Sequence, residues 1–221
     1  MSFKDYIKEN LPWIRSIYRK RLAPINLIHN IFDKPVVVLL YHRVNYLNRD
    51  LFNINVTPDN FERHIQVLKN HYNVITFNDL KCNDIKEPSV IITFDDGYYD
   101  NYKYAFPILK KYQVPATIFI TSGGVDTGKE FWWDRLETVL FENKNLRELI
   151  ELDILNQRHV FDVSNDKKRL HSFYTLHHML FSLHPNERDM ILDRWYESYG
   201  LKVNPNNRTM TSSELIDLYE S

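Results

Sequence analysis

Apolar positions along this chain follow one rhythm up to about residue 121 and another beyond it. In the first part, short continuous apolar runs alternate with helical patterns. "PVVVLLY" (35–41), "YNVITF" (72–77), "SVIITF" (89–94) and "PATIFIT" (115–121) are β-branched runs of strand length. A run without polar alternation suits a strand covered on both faces of a parallel sheet. Between them, Thr57 reads as an N-cap with Pro58 at the first helical position. The helix it opens runs over 58–71, with Phe61, Ile65 and Leu68 on one face. A second helix is predicted over 98–112. "HRVNYLNRDLFNINVTP" reads as a polar loop and "SGGVDTG" (122–128) as a flexible one. Strands alternating with helices at this spacing predict βαβ units and parallel pairing.

Beyond residue 128 there is almost no strand signal apart from "RHVFDV" (158–163), and 167–183, 186–199 and 212–220 read as helices. Residues 1–34 also read as helical, interrupted at Pro12 and Pro24. The predicted organisation is therefore a helical flank over 1–34, an α/β core over 35–128 and a mostly helical region over 129–221. No internal repeat or low-complexity tract interrupts it.

Composition narrows the function classes. The 221 residues are 43% hydrophobic and 26% charged, ordinary for a globular chain long enough to bury a core. A net charge of -1 offers no electrostatic footing for nucleic acid. Aromatics reach 14%, which suits either a sugar-lining cleft or a large aromatic core. The single cysteine, Cys82, excludes an internal disulfide and is compatible with a reducing compartment. The N-terminal segment lacks the uninterrupted apolar core of a usual signal peptide, and no stretch approaches the roughly 18 apolar residues of a membrane span. Residues 11–22 mix Trp13, Ile14, Ile17 and Tyr18 with Arg15, Arg19, Lys20 and Arg21. They read as a helix packed on the domain's flank or as a basic amphipathic helix on a membrane surface. The expected location is the cytoplasm or the cell envelope.

Candidate chemistry begins where "SVIITF" ends, in Asp95, Asp96 and Gly97. Two carboxylates at the end of an apolar strand are costly to desolvate without compensation. Solvent, a capping role or a metal ion could supply it. In α/β architectures functional residues lie at the carboxyl ends of parallel strands, where this pair falls. Gly97 permits a tight turn or a ligand's close approach. The alternative is that Asp95 caps the next helix and Asp96 is solvated. The spacing excludes two other chemistries. An aspartyl-nucleophile phosphatase needs Asp-x-Asp, and here Gly97 takes the second place. A phosphate loop fails because Glu130 follows Lys129 where Ser or Thr is required.

"TFDDGY" resembles the first motif of the polysaccharide deacetylases, carbohydrate esterase family 4. "VVLLYHRV", "VTPDNFERHIQVLKNHYNVITFNDL" and "YAFPILKKYQVPATIFITSGGV" resemble further elements of that family in the same order, and "FWWDRLE" resembles the start of a helical insertion found in one branch. The resemblance implies the N-terminal part of a distorted (β/α) barrel with a mostly helical insertion. It implies removal of N- or O-acetyl groups from a polysaccharide or oligosaccharide, with one divalent metal, zinc by family. Asp95 would be the general base, Asp96 a metal ligand, and His42, Gly97 and Tyr98 substrate-binding or supporting residues.

The family's second motif, His-Ser/Thr-x-x-His, is missing. None of the nine histidines has another four residues away, and "HSFYT" (171–175) ends in threonine. His171, His177, His178 and His184 read as faces of insertion helices. The expectation is a chain that stops before the strand carrying the histidines, which would leave it inactive and poorly soluble alone, with its metal unbound. A non-catalytic relative that binds a glycan or a partner is the competing expectation.

Overall fold

The computed structural model describes residues 36–80, 85, 87–154 and 157–220. The helical flank predicted over 1–34, including the amphipathic stretch 11–22, lies outside the described residues.

Strand β1 (Val36–Tyr41) leads to a two-residue parallel ladder of β2 (Arg43–Val44) with β3 (Asn55–Val56). Helix α1 (Pro58–His71) starts as expected. The Thr57 hydroxyl accepts from the amide of Asn60, and Phe61, Ile65 and Leu68 are buried. Then come β4 (Asn73–Val74), a short helix α2 (Phe77–Leu80) and β5 (Ser89–Phe94). Helix α3 opens with a π-helical turn (Asn101–Ala105) and continues as Phe106–Tyr112 before β6 (Thr117–Ile118).

β5 is the centre of a parallel sheet. It pairs with β1 along its whole length, with β4 at its start and with β6 at its end. All six of its residues are buried, as its unbroken apolar pattern requires. Val90, Ile92 and Phe94 pack with Phe61, Ile65 and Leu68 of α1 and with Ala105 and Leu109 of α3. Thr93 is admitted to this apolar strand because its hydroxyl donates to the Leu39 carbonyl at 2.9 Å.

Three local expectations are corrected. β1 was expected to be covered on both faces, yet Val37, Val38 and Leu40 are 47%, 50% and 55% exposed. Among the described residues β1 pairs on one side only. A continuous apolar run reports strand character but cannot distinguish a central strand from an edge. The run 72–77 forms only two strand residues, because Thr76 and Asp79 open helix α2. The Asp79 carboxylate accepts from both the amide (2.7 Å) and the hydroxyl (2.8 Å) of Thr76. The "flexible" 122–128 segment is a 3₁₀ turn (Ser122–Gly124) pinned from a distance. The Gly124 carbonyl accepts from the Thr209 hydroxyl, and the Asp126 carboxylate accepts from the Ser212 amide.

The second half is a separate apolar core. Helix α4 (Trp132–Glu137) runs on as a π-helical turn (Thr138–Glu142). It packs against an antiparallel hairpin of β7 (Leu149–Ile154) and β8 (Gln157–Asp162), and against helices α5 (Asp166–Phe181) and α6 (Pro185–Tyr199). β7 corrects the expectation of a single strand here. Its alternation, with Ile150, Leu152 and Ile154 inward, is the half-buried strand pattern. Leu51 and Phe52, from the loop between β2 and β3, pack into this second core and join it to the first half. Helix α7 (Ser212–Glu220) follows a loop that returns to β5. Among the described residues no helix is long and apolar enough to cross a membrane.

Candidate active site

The β1–β5 ladder ends where the Asp95 amide donates to the Tyr41 carbonyl at 2.9 Å. The chain then reverses through two left-handed residues, Asp96 (φ 71°) and Gly97 (φ 77°). Aspartate is among the few non-glycine residues that enter this region routinely. At Gly97 the need for glycine is also steric, since a Cβ would stand 2.9 Å from Cγ2 of Ile120. The turn is tied on two sides. Thr121 donates its amide to the Asp96 carbonyl at 3.1 Å, and Met210 donates to the Gly97 carbonyl at 3.0 Å.

This geometry sets two carboxylates of unlike surroundings at the mouth of the sheet. His42 Nε2 lies 3.9 Å from Asp95 Oδ2, with the two side chains 28% and 36% exposed. That is a charge contact rather than a hydrogen bond. Asp96 is deeper. Burial raises its carboxyl above the usual carboxylate range, the neighbouring Asp95 charge adds to this, and His42 opposes it.

A buried network beneath the mouth was not anticipated from the sequence. Asn101 Nδ2 donates to the His42 carbonyl at 2.9 Å and to Asp100 Oδ1 at 3.2 Å. Arg43, next to His42, donates through Nε to Asp100 at 2.8 Å, through Nη2 to Asn207 at 2.8 Å and through Nη1 to Asp134 at 3.4 Å. Asp100 also accepts from the Val44 amide and from the Asn45 side chain. Arg43, Asp100 and Asp134 are 3%, 1% and 9% exposed, so this ion cluster is withdrawn from water. Burial lifts Asp134 to about 7 even with the Arg43 guanidinium beside it. The sequence signals were present in "YHR" and "YYDN": a charged residue beside the predicted His42, and an Asp-Asn pair one turn beyond the aspartates.

Tyr98 belongs to that network. It is fully buried. Its hydroxyl donates to Asp134 Oδ2 at 2.9 Å and accepts from Trp133 Nε1 at 2.6 Å, while the Arg43 guanidinium lies 4.2 Å from its ring centre. Tyr98 was expected to bind substrate or to support the site, and here its hydroxyl and ring are engaged with Asp134, Trp133 and Arg43. Of the histidines expected on helix faces, His177 stacks on Trp132 with ring centres 4.6 Å apart. His184 is instead the N-cap of α6, its ring nitrogen accepting from Asn186.

His42, Asp95 and Asp96 do not by themselves fit a divalent ion. Among the described residues no group of three His, Cys, Asp or Glu side chains is placed to hold one. The arrangement offers a carboxylate base beside a histidine and one half-buried carboxylate able to serve as a ligand.

Residues 83–149 match the polysaccharide deacetylase family. A Bacillus subtilis protein provisionally named as a polysaccharide deacetylase, YxkH, is 42% identical over 96 residues, covering 40% of this chain and 33% of its own. The poly-β-1,6-N-acetyl-D-glucosamine N-deacetylase of Staphylococcus aureus is 31% identical over 154 residues, covering 62% of this chain and 51% of its own. The chain thus spans about half the length, or less, of these curated relatives. Among solved structures, IcaB from Ammonifex degensii aligns at 27% identity and a TM-score of 0.40, covering 48% of this chain and 49% of that one. The Streptococcus pyogenes deacetylase PplD aligns at 30% identity and a TM-score of 0.37, covering 42% and 45%.

Proposed function

We propose, for a chain whose residues 83–149 match the polysaccharide deacetylase family, that the mouth formed by His42, Asp95 and Asp96 hydrolyses acetamide groups on a glycan, an N-acetylated glucosamine polymer being the substrate class. The observation that carries this reading is the pairing of Asp95 with His42 at 3.9 Å beside the half-buried Asp96, at the carboxyl end of the central strand.

Asp95 is the base. An ionised carboxylate oxygen takes a proton from water as the water oxygen bonds to the acetamide carbonyl carbon. The proton then passes from Asp95 to the nitrogen as the C–N bond breaks, leaving acetate and an amine. His42, when protonated, sets a positive charge beside the Asp95 carboxylate. Gly97 allows the turn that holds both carboxylates at one opening. A divalent metal, zinc by family, is the cofactor of this reading. Asp96 is the donor this mouth offers, and among the described residues no group of three donors is placed to hold the ion.

The test is acetate release from N-acetylglucosamine oligosaccharides with zinc supplied, comparing the wild-type chain with Asp95→Asn. Release that depends on Asp95 supports the hydrolase. The lack of a three-donor metal group among the described residues favours a second reading, a glycan-binding relative without catalysis. Binding of the oligosaccharide with no release at any zinc concentration would establish that instead.

A further inference from the structure

Behind the Arg43–Asp134 pair lies a cavity of about 450 Å³. This is within the range of volumes in which proteins hold small polar ligands. Its walls come from the loop after β2, the inner face of α4 with its π-helical extension, and the loop before α7. None of His42, Asp95 and Asp96 lines it. We propose that this cavity binds a sugar unit carrying a free ammonium group, the deacetylated form of the glycan; the proposal rests on the deacetylase reading of the neighbouring mouth.

Charge is the first argument. Asp134, Glu137 and Glu142 line the cavity together with Arg43 and Arg49. Arg43 is already shared between Asp100 and Asp134. Arg49 stands 3.8 Å from Glu137 and lies 4.1 Å over the Phe141 ring. The lining thus holds three carboxyl groups against two guanidinium groups, one of which is also committed to Asp100 outside the cavity. A ligand cation in the cavity would complete the balance with charge-assisted hydrogen bonds. The second argument is shape and polarity. Leu47 is the one aliphatic residue of the lining, and Asn48 and Asn204 add amides suited to hydroxyl groups, while the Asn207 amide is committed to Arg43 and Glu130. Asp134, Glu137 and Glu142 form no three-donor group placed to hold a metal ion, which favours an ammonium-bearing ligand over a metal. An acetamido sugar has no such cation and acquires one when its acetyl group is removed. The cavity would thus recognise product units, and Arg43 ties it to the backbone that carries His42.

Isothermal titration of the whole chain with glucosamine oligosaccharides and with their N-acetylated counterparts tests this. The glucosamine oligosaccharide is expected to bind about tenfold or more tightly, and Glu137→Gln and Glu142→Gln each to weaken it by about tenfold, with the thermal transition retained. Asp95→Asn is expected to leave this binding unchanged. Equal affinity for the two sugars, or wild-type affinity in both glutamine variants, would overturn the proposal. A wild-type chain that releases no acetate yet keeps Glu137- and Glu142-dependent binding would refute the hydrolase and leave the cavity assignment standing.

Discussion

Asn101 donates its side-chain amide to the backbone carbonyl of His42 at 2.9 Å, from the first turn of the helix that follows the two aspartates. That bond ties the residue just after β1 to the helix that follows the aspartates. Asn101→Ala should leave the half-buried His42 carbonyl without this partner and cost about 1 kcal/mol in urea unfolding. It should also lower acetate release, because His42 is no longer held beside Asp95. Wild-type stability and turnover together would mean that the loop holds its place without this bond.

The Arg43–Asp100 pair beneath it should be among the costliest places to cut. Asp100→Ala leaves a guanidinium buried and short of its main partner, with an expected loss of about 3–5 kcal/mol. Chemical denaturation of the variant checks this, and a loss below about 1 kcal/mol would show that water reaches Arg43.

Gly97→Ala should destabilise by about 1–2 kcal/mol from its left-handed backbone alone. The contact at 2.9 Å with Ile120 Cγ2 adds to that. Ile120 is 43% exposed, so Ile120→Ala is expected to cost little by itself. In the double variant it should recover the part due to Cγ2 and leave the backbone part together with the tighter contacts to Ile120 Cβ and Cα at 3.3 and 3.4 Å. Thermal melting of the four proteins separates the two.

Glu137 gives stability a pH dependence whose sign follows from its raised carboxyl. Burial lifts it from 4.5 to about 7, so between these values the folded protein binds more protons than the unfolded one. Stability from this group is therefore present at acid pH and lost as pH rises towards 7. Glu137→Gln should flatten the wild-type decline over that window, as read from melting temperature against pH. Parallel wild-type and variant curves would contradict it.

How much of this was legible depended on how local the cause was. Thr57, Pro58 and the Phe61–Ile65–Leu68 stripe specify helix α1 within a dozen residues, and that helix stands where the pattern put it. The unbroken run of β5 and its terminal aspartates were equally local. The exposure of Val38 and Leu40 was not, because an edge strand differs from a central one only in its neighbours. β7 was readable from its alternation, although "LIELDI" also passes for a helical stretch when its charges are weighed above its period. Arg43, Asp134 and Asn207 are brought together from three distant stretches of chain. No spacing in the sequence announces that meeting, so the polar cluster under the mouth and the cavity behind it became visible only in the fold.

The central claim is that Asp95 is a base acting on an acetylated glycan. Acetate released from N-acetylglucosamine oligosaccharides in the presence of zinc, wild type against Asp95→Asn, tests it most directly. The account predicts release that falls by about 10²–10⁴-fold in the variant, the usual worth of a positioned general base, with melting temperature unchanged. Equal release from both proteins, or bound oligosaccharide that neither protein deacetylates, would contradict it.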